Sequence, residues 1–153
     1  MKLKIVLAAA LALVVVGCAS QKSETKKGRD VSSLISYTGD AIKINEAIKF
    51  DTGSADIDHE SHDLLEAIAV IIKSTGDIAK VTIEGHTDST GDADFNKSLS
   101  QQRADSVKNY LVSKGVPAEK LEAVGFGQEN PVDSNETDEG RQHNRRVEFK
   151  VTH

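Results

Sequence analysis

Between residues 80 and 104 the chain reads KVTIEGHTDSTGDADFNKSLSQQRA, and two of these residues are placed where chemistry is expected. Asp88 follows an apolar alternation and sits in a turn between Gly85 and Gly91. Arg103 falls inside a helical pattern. At about 100° per residue it shares an arc with Phe95, Leu99, Ala104, Val107, Tyr110 and Leu111, and Asn96 lies beside it. A guanidinium keeps its proton, so on an apolar arc it needs a partner or a wet cleft. An internal ion pair with Asp88 would supply that partner, and so would the anion of a ligand.

Three features favour the ligand. Asp88 comes just after the carboxyl end of a strand, where open α/β sheets tend to place ligands. The helix that starts between Asp92 and Ser98 offers free N–H groups and a positive dipole end close by. Arg145 shares the inward parity of Val147 and Phe149, which would bring a second arginine to the same end of the sheet.

Positioning these residues takes a folded domain. DAIKINEAIKF carries two apolar alternations, Ile42 with Ile44 and Ile48 with Phe50, around Asn45-Glu46, and reads as a hairpin. A helix is expected from near Ser61 to Gly76, on the spacing of Leu64, Ile68, Ile71 and Ile72. Val81 and Ile83 mark a strand, a second helix ends near Lys114-Gly115, and LEAVGFG marks another strand. QENPVDSNETDEGRQH reads as a long polar loop before the last strand, NRRVEFKV. The order predicts an α+β fold, with helices packed on a mixed sheet through right-handed crossovers.

The chain has 153 residues, enough for one domain with a real core. A formal charge of −5 and a pI near 5.5 exclude the basic face of a nucleic-acid binder. Four Phe, two Tyr and no Trp leave few rings for stacking bases. The start is different in kind. MKLK is followed by the apolar run IVLAAALALVVV and then by Gly17 and Cys18, the only cysteine. That run is short for a membrane span and suits a signal-peptide core. Val-Val-Gly-Cys resembles a bacterial lipobox, which implies a signal peptide over 1–17 and lipidation at Cys18. Ala19, rather than aspartate, would sort the product to the outer membrane. Residues 18–37, rich in Ser, Lys, Thr and Gly, read as a flexible tether, and the domain is expected over 38–153.

GHTDSTG, Asn96, LSQQRA and VGFGQENPVDSNETDEGRQHNRRVEF together resemble the OmpA-like peptidoglycan-binding domain. The likeness runs from about Ile42 to Val151, including IKFDTGSADI. With the lipobox, the whole chain resembles the small OmpA-family outer-membrane lipoproteins, the peptidoglycan-associated lipoproteins among them. The resemblance implies a two-layer α/β sandwich with a four-stranded mixed sheet and an extra N-terminal hairpin strand. It implies a non-catalytic domain that binds the diaminopimelate of the wall's stem peptides, with no cofactor. Asp88 would take the ammonium and Arg103 the carboxylate, while Thr87, Asn96 and Arg145 would complete the site. Phe95 stands where the family has a tyrosine, so that hydroxyl is missing. The partners implied are peptidoglycan, the outer membrane through the lipid, and other envelope proteins; the domain would face the periplasm.

Two rival classes are weaker. An enzyme needs an activated group. His59 and His62 lack the HExxH form of a metal pair, no cysteine cluster supports them, and His86 has no marked nucleophile beside it. A purely protein-binding lipoprotein would use the acidic loop from Glu129 to Glu139 as its contact surface.

Overall fold

The structure is a computed structural model that describes residues 29–153; Cys18 and the leader lie outside the described residues. Five strands form one mixed sheet in the order β1-β2-β5-β3-β4. They are β1 (Ile35–Tyr37), β2 (Ala41–Ile44), β3 (Lys80–His86), β4 (Leu121–Gly127) and β5 (Val147–Thr152). Helices α1 (His62–Ser74), α2 (Ala93–Ser113) and α3 (Asp138–Asn144) complete the fold. β3 and β4 run parallel and are joined through α2, while every other pairing is antiparallel. The fold is α+β, with five strands as expected.

Alternation along the strands separates the two faces of the sheet. Ile42, Val81, Ile83, Val147, Phe149 and Val151 are buried, and they meet Leu64, Leu65, Ile68 and Ile72 of α1 and Val107 and Leu111 of α2. Thr82, Glu84, Glu148 and Lys150 point to the other face.

Helix α2 starts where the side chain of Asp92 accepts the N–H of Phe95 at 2.9 Å. It stops before Gly115, whose φ of +85° suits the left-handed turn that ends helices. Its buried seam differs from the apolar arc expected. The enclosed residues are Asn96, Ser100, Ala104, Val107 and Leu111, whereas Phe95 is 58% exposed. The cause lies in the strands beneath. A Cβ on Gly85 would fall 2.2 Å from the Ser100 carbonyl oxygen, and one on Gly125 would fall 2.3 Å from the Gln101 nitrogen. Bare backbone lets the helix descend onto the sheet, and small polar side chains fill the seam. Gln101 also pairs with the free edge of β4, accepting from Gly125 N–H at 2.7 Å and donating to the Ala123 carbonyl at 3.1 Å.

Two expectations about the front of the domain need correction. Ile48–Phe50 is not the hairpin partner of Ile42–Ile44; Phe50 makes only an isolated bridge to Ile57. The partner is Ile35–Tyr37, paired through Ile35 with Ile44 and Tyr37 with Ile42, around a turn at Gly39 with φ +94°. Val31 is buried as well, so the folded domain takes in residues assigned from sequence to the tether. The polar loop before β5 also contains α3, capped by Thr137, whose hydroxyl accepts Gly140 N–H.

Candidate functional site

Strand β3 ends at His86, and the chain turns immediately through Thr87 and Asp88. Both are buried, as is Asn96 on the first turns of α2. Thr87 Oγ1 donates to the Asp88 carbonyl at 2.9 Å. Asn96 Nδ2 reaches the carbonyls of Asp88 and Thr90 at 3.3 and 3.0 Å, and Gln128 Oε1 at 3.1 Å. These two side chains are spent on the turn and fix where Asp88 stands.

The Asp88 carboxylate accepts Thr90 N–H at 2.8 Å on one oxygen and Arg145 Nη1 at 2.5 Å on the other. Burial alone would raise this carboxyl group. Hydrogen bonds from Arg145 and from Thr90 outweigh that and hold it below the usual carboxylate range. Arg145 comes from the end of α3, where its other terminal nitrogen donates to Gln142 Oε1. Arg145 thus lies at the same end of the sheet as Asp88, reached from the C-cap of α3 rather than from within β5.

Arg103 does not form the internal ion pair that would have made it a staple. It makes no ion pair with Asp88, nor with any other carboxylate among the described residues. Its Nε donates to the Ser54 carbonyl at 3.0 Å, and its guanidinium carbon lies 5.0 Å from the centre of the Phe50 ring. Burial presses its pKa down, Arg145 adds to that, and Asp88 opposes it. Arginine nevertheless stays charged. Arg103, Arg145, Arg146, Phe50, Asp58 and Gln142 all border one cavity of about 460 Å³. Asp88 meets this cavity through Arg145. The result is a concave surface on which one carboxylate has been neutralised and a second cation has not.

Sequence reasoning missed the supports of this geometry. Phe50 and Ser54 lie in FDTGSADI, where Phe50 reads as a strand residue and nothing local marks Ser54 as a support for Arg103. Asn144 is fully buried and orders the loop before α3 by accepting Val132 N–H at 2.8 Å and Asp133 N–H at 3.0 Å. His59 and His62 do not form a pair: His59 lies against Asp58, and His62 stacks near Tyr110. No helix among the described residues is long and apolar enough to cross a membrane.

This site geometry, on a two-layer sheet with helices on one face, defines a class. The OmpA family model matches residues 49–145, and the chain belongs to the OmpA family. The family is non-catalytic. The chain is 39% identical to the probable lipoprotein YiaD of Escherichia coli, over 82% of this chain and 58% of that protein. It is 43% identical to the peptidoglycan-binding protein ArfA of Mycobacterium tuberculosis, over 68% of this chain and 32% of that protein. The chain thus spans well under two thirds of either relative. Among solved structures, the peptidoglycan-associated lipoprotein of Burkholderia pseudomallei superposes with a TM-score of 0.61 at 30% identity, over 69% of this chain and 87% of that one.

Proposed function

We propose that this domain grips the diaminopimelate of peptidoglycan stem peptides without a covalent bond. With Cys18 lipidated, it would tether the outer membrane to the cell wall. The observation that carries this reading is Arg103, which borders the cavity with no carboxylate partner among the described residues, while Arg145 on the same cavity holds the buried Asp88. Diaminopimelate carries an ammonium and a carboxylate on one carbon at the end of its side chain. Arg103 meets the carboxylate through its terminal nitrogens, a fork that suits two parallel N–H bonds. Asp88 has lone pairs left beyond the bonds from Thr90 and Arg145, and these accept the ammonium.

Arg145 holds Asp88 ionised until the ligand arrives, and with its half-exposed head it yields part of that oxygen to the incoming amine. Each pair alone contributes little, about 1 kcal/mol or less when exposed. A wall offering many stem peptides to an anchored domain makes modest single-site affinity sufficient. The lipobox and the kinship with envelope lipoproteins support the anchor, with the domain facing the periplasm.

Sedimentation with isolated sacculi tests the reading. Wild-type protein should pellet, and Asp88→Ala and Arg103→Ala should stay in the supernatant with little change in melting temperature. If both variants pellet like wild type, the site reading is wrong, and a lipoprotein that binds other envelope proteins takes its place. Cys18→Ala should incorporate no palmitate; a wild-type protein that takes up none removes the anchor.

A further inference from the structure

The sheet face that carries Thr82 and Glu84 holds a second cluster, whose His86 also borders the cavity beside Arg103. Glu84 and His86 lie two residues apart on β3 and so share a face, and Glu148 of β5 stands directly across from Glu84. One ligand atom from each of the three lies within 4.8 Å of the others. The imidazole is only 4% exposed, and neither ring nitrogen has a hydrogen-bond partner among the described residues. Its Nε2 lies 3.9 Å from Glu84 Oε2, and Phe126 stacks on the ring at a centroid distance of 5.4 Å. Buried polar atoms are almost always bonded, so an unpartnered imidazole close to two carboxylates calls for a ligand.

We propose that Glu84, His86 and Glu148 form a binding site for a divalent transition-metal ion of the zinc class. One nitrogen and two carboxylate ligands suit zinc, cobalt or nickel, with water filling the remaining positions. Magnesium and calcium prefer oxygen alone and would leave the imidazole unused.

The opposing force is positive charge. Arg146 Nε holds Glu148 Oε1 at 2.6 Å, and Lys150 Nζ holds Oε2 at 2.7 Å. Arg146 is also tied to the carbonyls of Asn130 and Asn144 and stays in place. The Lys150 side chain is 51% exposed, so an incoming ion takes Oε2 and returns that ammonium to water. Lys150 is therefore the ion's competitor.

Calorimetric titration of the full chain in detergent with zinc, and the visible spectrum with cobalt, test the proposal. Wild type should bind one ion and gain melting temperature. Glu84→Gln and His86→Gln should lose more than the roughly 10- to 100-fold typical of changes outside the ligand shell. His86→Gln removes a buried ring and risks misfolding, so Glu84→Gln and the exposed Lys150→Gln carry the decision. Lys150→Gln should bind the ion several-fold more tightly. Equal zinc affinity in wild type and Glu84→Gln, or no gain in Lys150→Gln, overturns the site and assigns any uptake to the outer histidines.

Discussion

The two ends of β3 are held by different physics. At its start Val81 and Ile83 are wholly buried, packed in an aliphatic core with Ile68, Ile72 and Leu111. At its end Gly85 carries no side chain, and the helix backbone rests on it. His86, Thr87 and Asp88 follow, buried but polar. The first half stabilises the fold by removing apolar surface from water, at roughly 25 cal/mol per Å². The second half gives up that gain to hold charges in fixed positions. A strand that was apolar throughout would make a better core and no site.

That contrast can be broken from either end. The largest effect is expected in the aliphatic half: Ile68→Ala deletes a fully buried side chain and should cost about 2 to 5 kcal/mol. Urea unfolding measures it, and sacculus binding should survive in whatever fraction stays folded. At the other end, Gly85→Ala forces a methyl against the backbone of Ser100, which no rotamer change can relieve. The cost should reach about 1 to 3 kcal/mol, the usual scale of overpacking. Unlike Ile68→Ala, it should also impair wall binding in the folded protein, because lifting α2 moves Arg103 away from Asp88. Normal binding by folded Gly85→Ala would separate the helix seam from the site.

Acid should separate the two ends as well. The groups with the largest shifts on folding, His86 and Glu148, lie at the polar half. His86 sits among Glu84, Glu148, Arg146 and Lys150, and its pKa falls from 6.5 to about 4 on folding, burial being the main cause. Between those values the unfolded chain takes up a proton that the folded one does not, so stability falls as pH drops from 6.5 to 4. Glu148 acts lower. Burial would raise its carboxyl, but hydrogen bonds from Lys150 and Arg146 bring it from 4.5 to about 2. Its contribution is present above 4.5 and is lost as pH falls toward 2. Urea midpoints measured with chelator present should therefore decline across both intervals. In His86→Gln the decline between pH 6.5 and 4 should be reduced, and an unchanged slope would remove His86 from the account.

The aliphatic half was also the more legible one. A start between Asp92 and Ser98 and a stop near Lys114-Gly115 locate α2 closely, and LEAVGFG coincides with β4. The first hairpin was misread because IKINEAIKF alternates well on its own, while Ile35 and Tyr37 sit in polar sequence. Only pairing across Gly39 shows their value. At the site, Asp88, Arg103, Asn96 and Arg145 could be singled out by turn, arc or parity, whereas Thr87 comes only with the family resemblance. Which arginine meets Asp88 could not, because that depends on α3, folded from a segment that reads as polar loop. Glu84, His86 and Glu148 needed the antiparallel register, and no local spacing encodes it.

The smallest effect concerns how Arg103 is aimed. Its guanidinium has two local holds, the Ser54 carbonyl and the face of Phe50 at 5.0 Å. The carbonyl takes Nε and leaves the terminal nitrogens without a partner among the described residues, while the ring supports the guanidinium. Phe50→Leu keeps an apolar contact but removes the aromatic face, worth about 0.5 to 1 kcal/mol at such a site. Affinity for a soluble diaminopimelate peptide should fall roughly 2- to 5-fold. The wild-type domain is expected to prefer the free acid of that peptide over its amide, because Arg103 would pair with the carboxylate, and Phe50→Leu should keep that preference. Arg103→Ala should instead erase that preference while weakening both ligands. If Phe50→Leu abolishes the discrimination as fully as Arg103→Ala does, the ring is part of the ligand contact rather than a support for the arginine. If it changes nothing, the Ser54 carbonyl alone is enough to aim the charge.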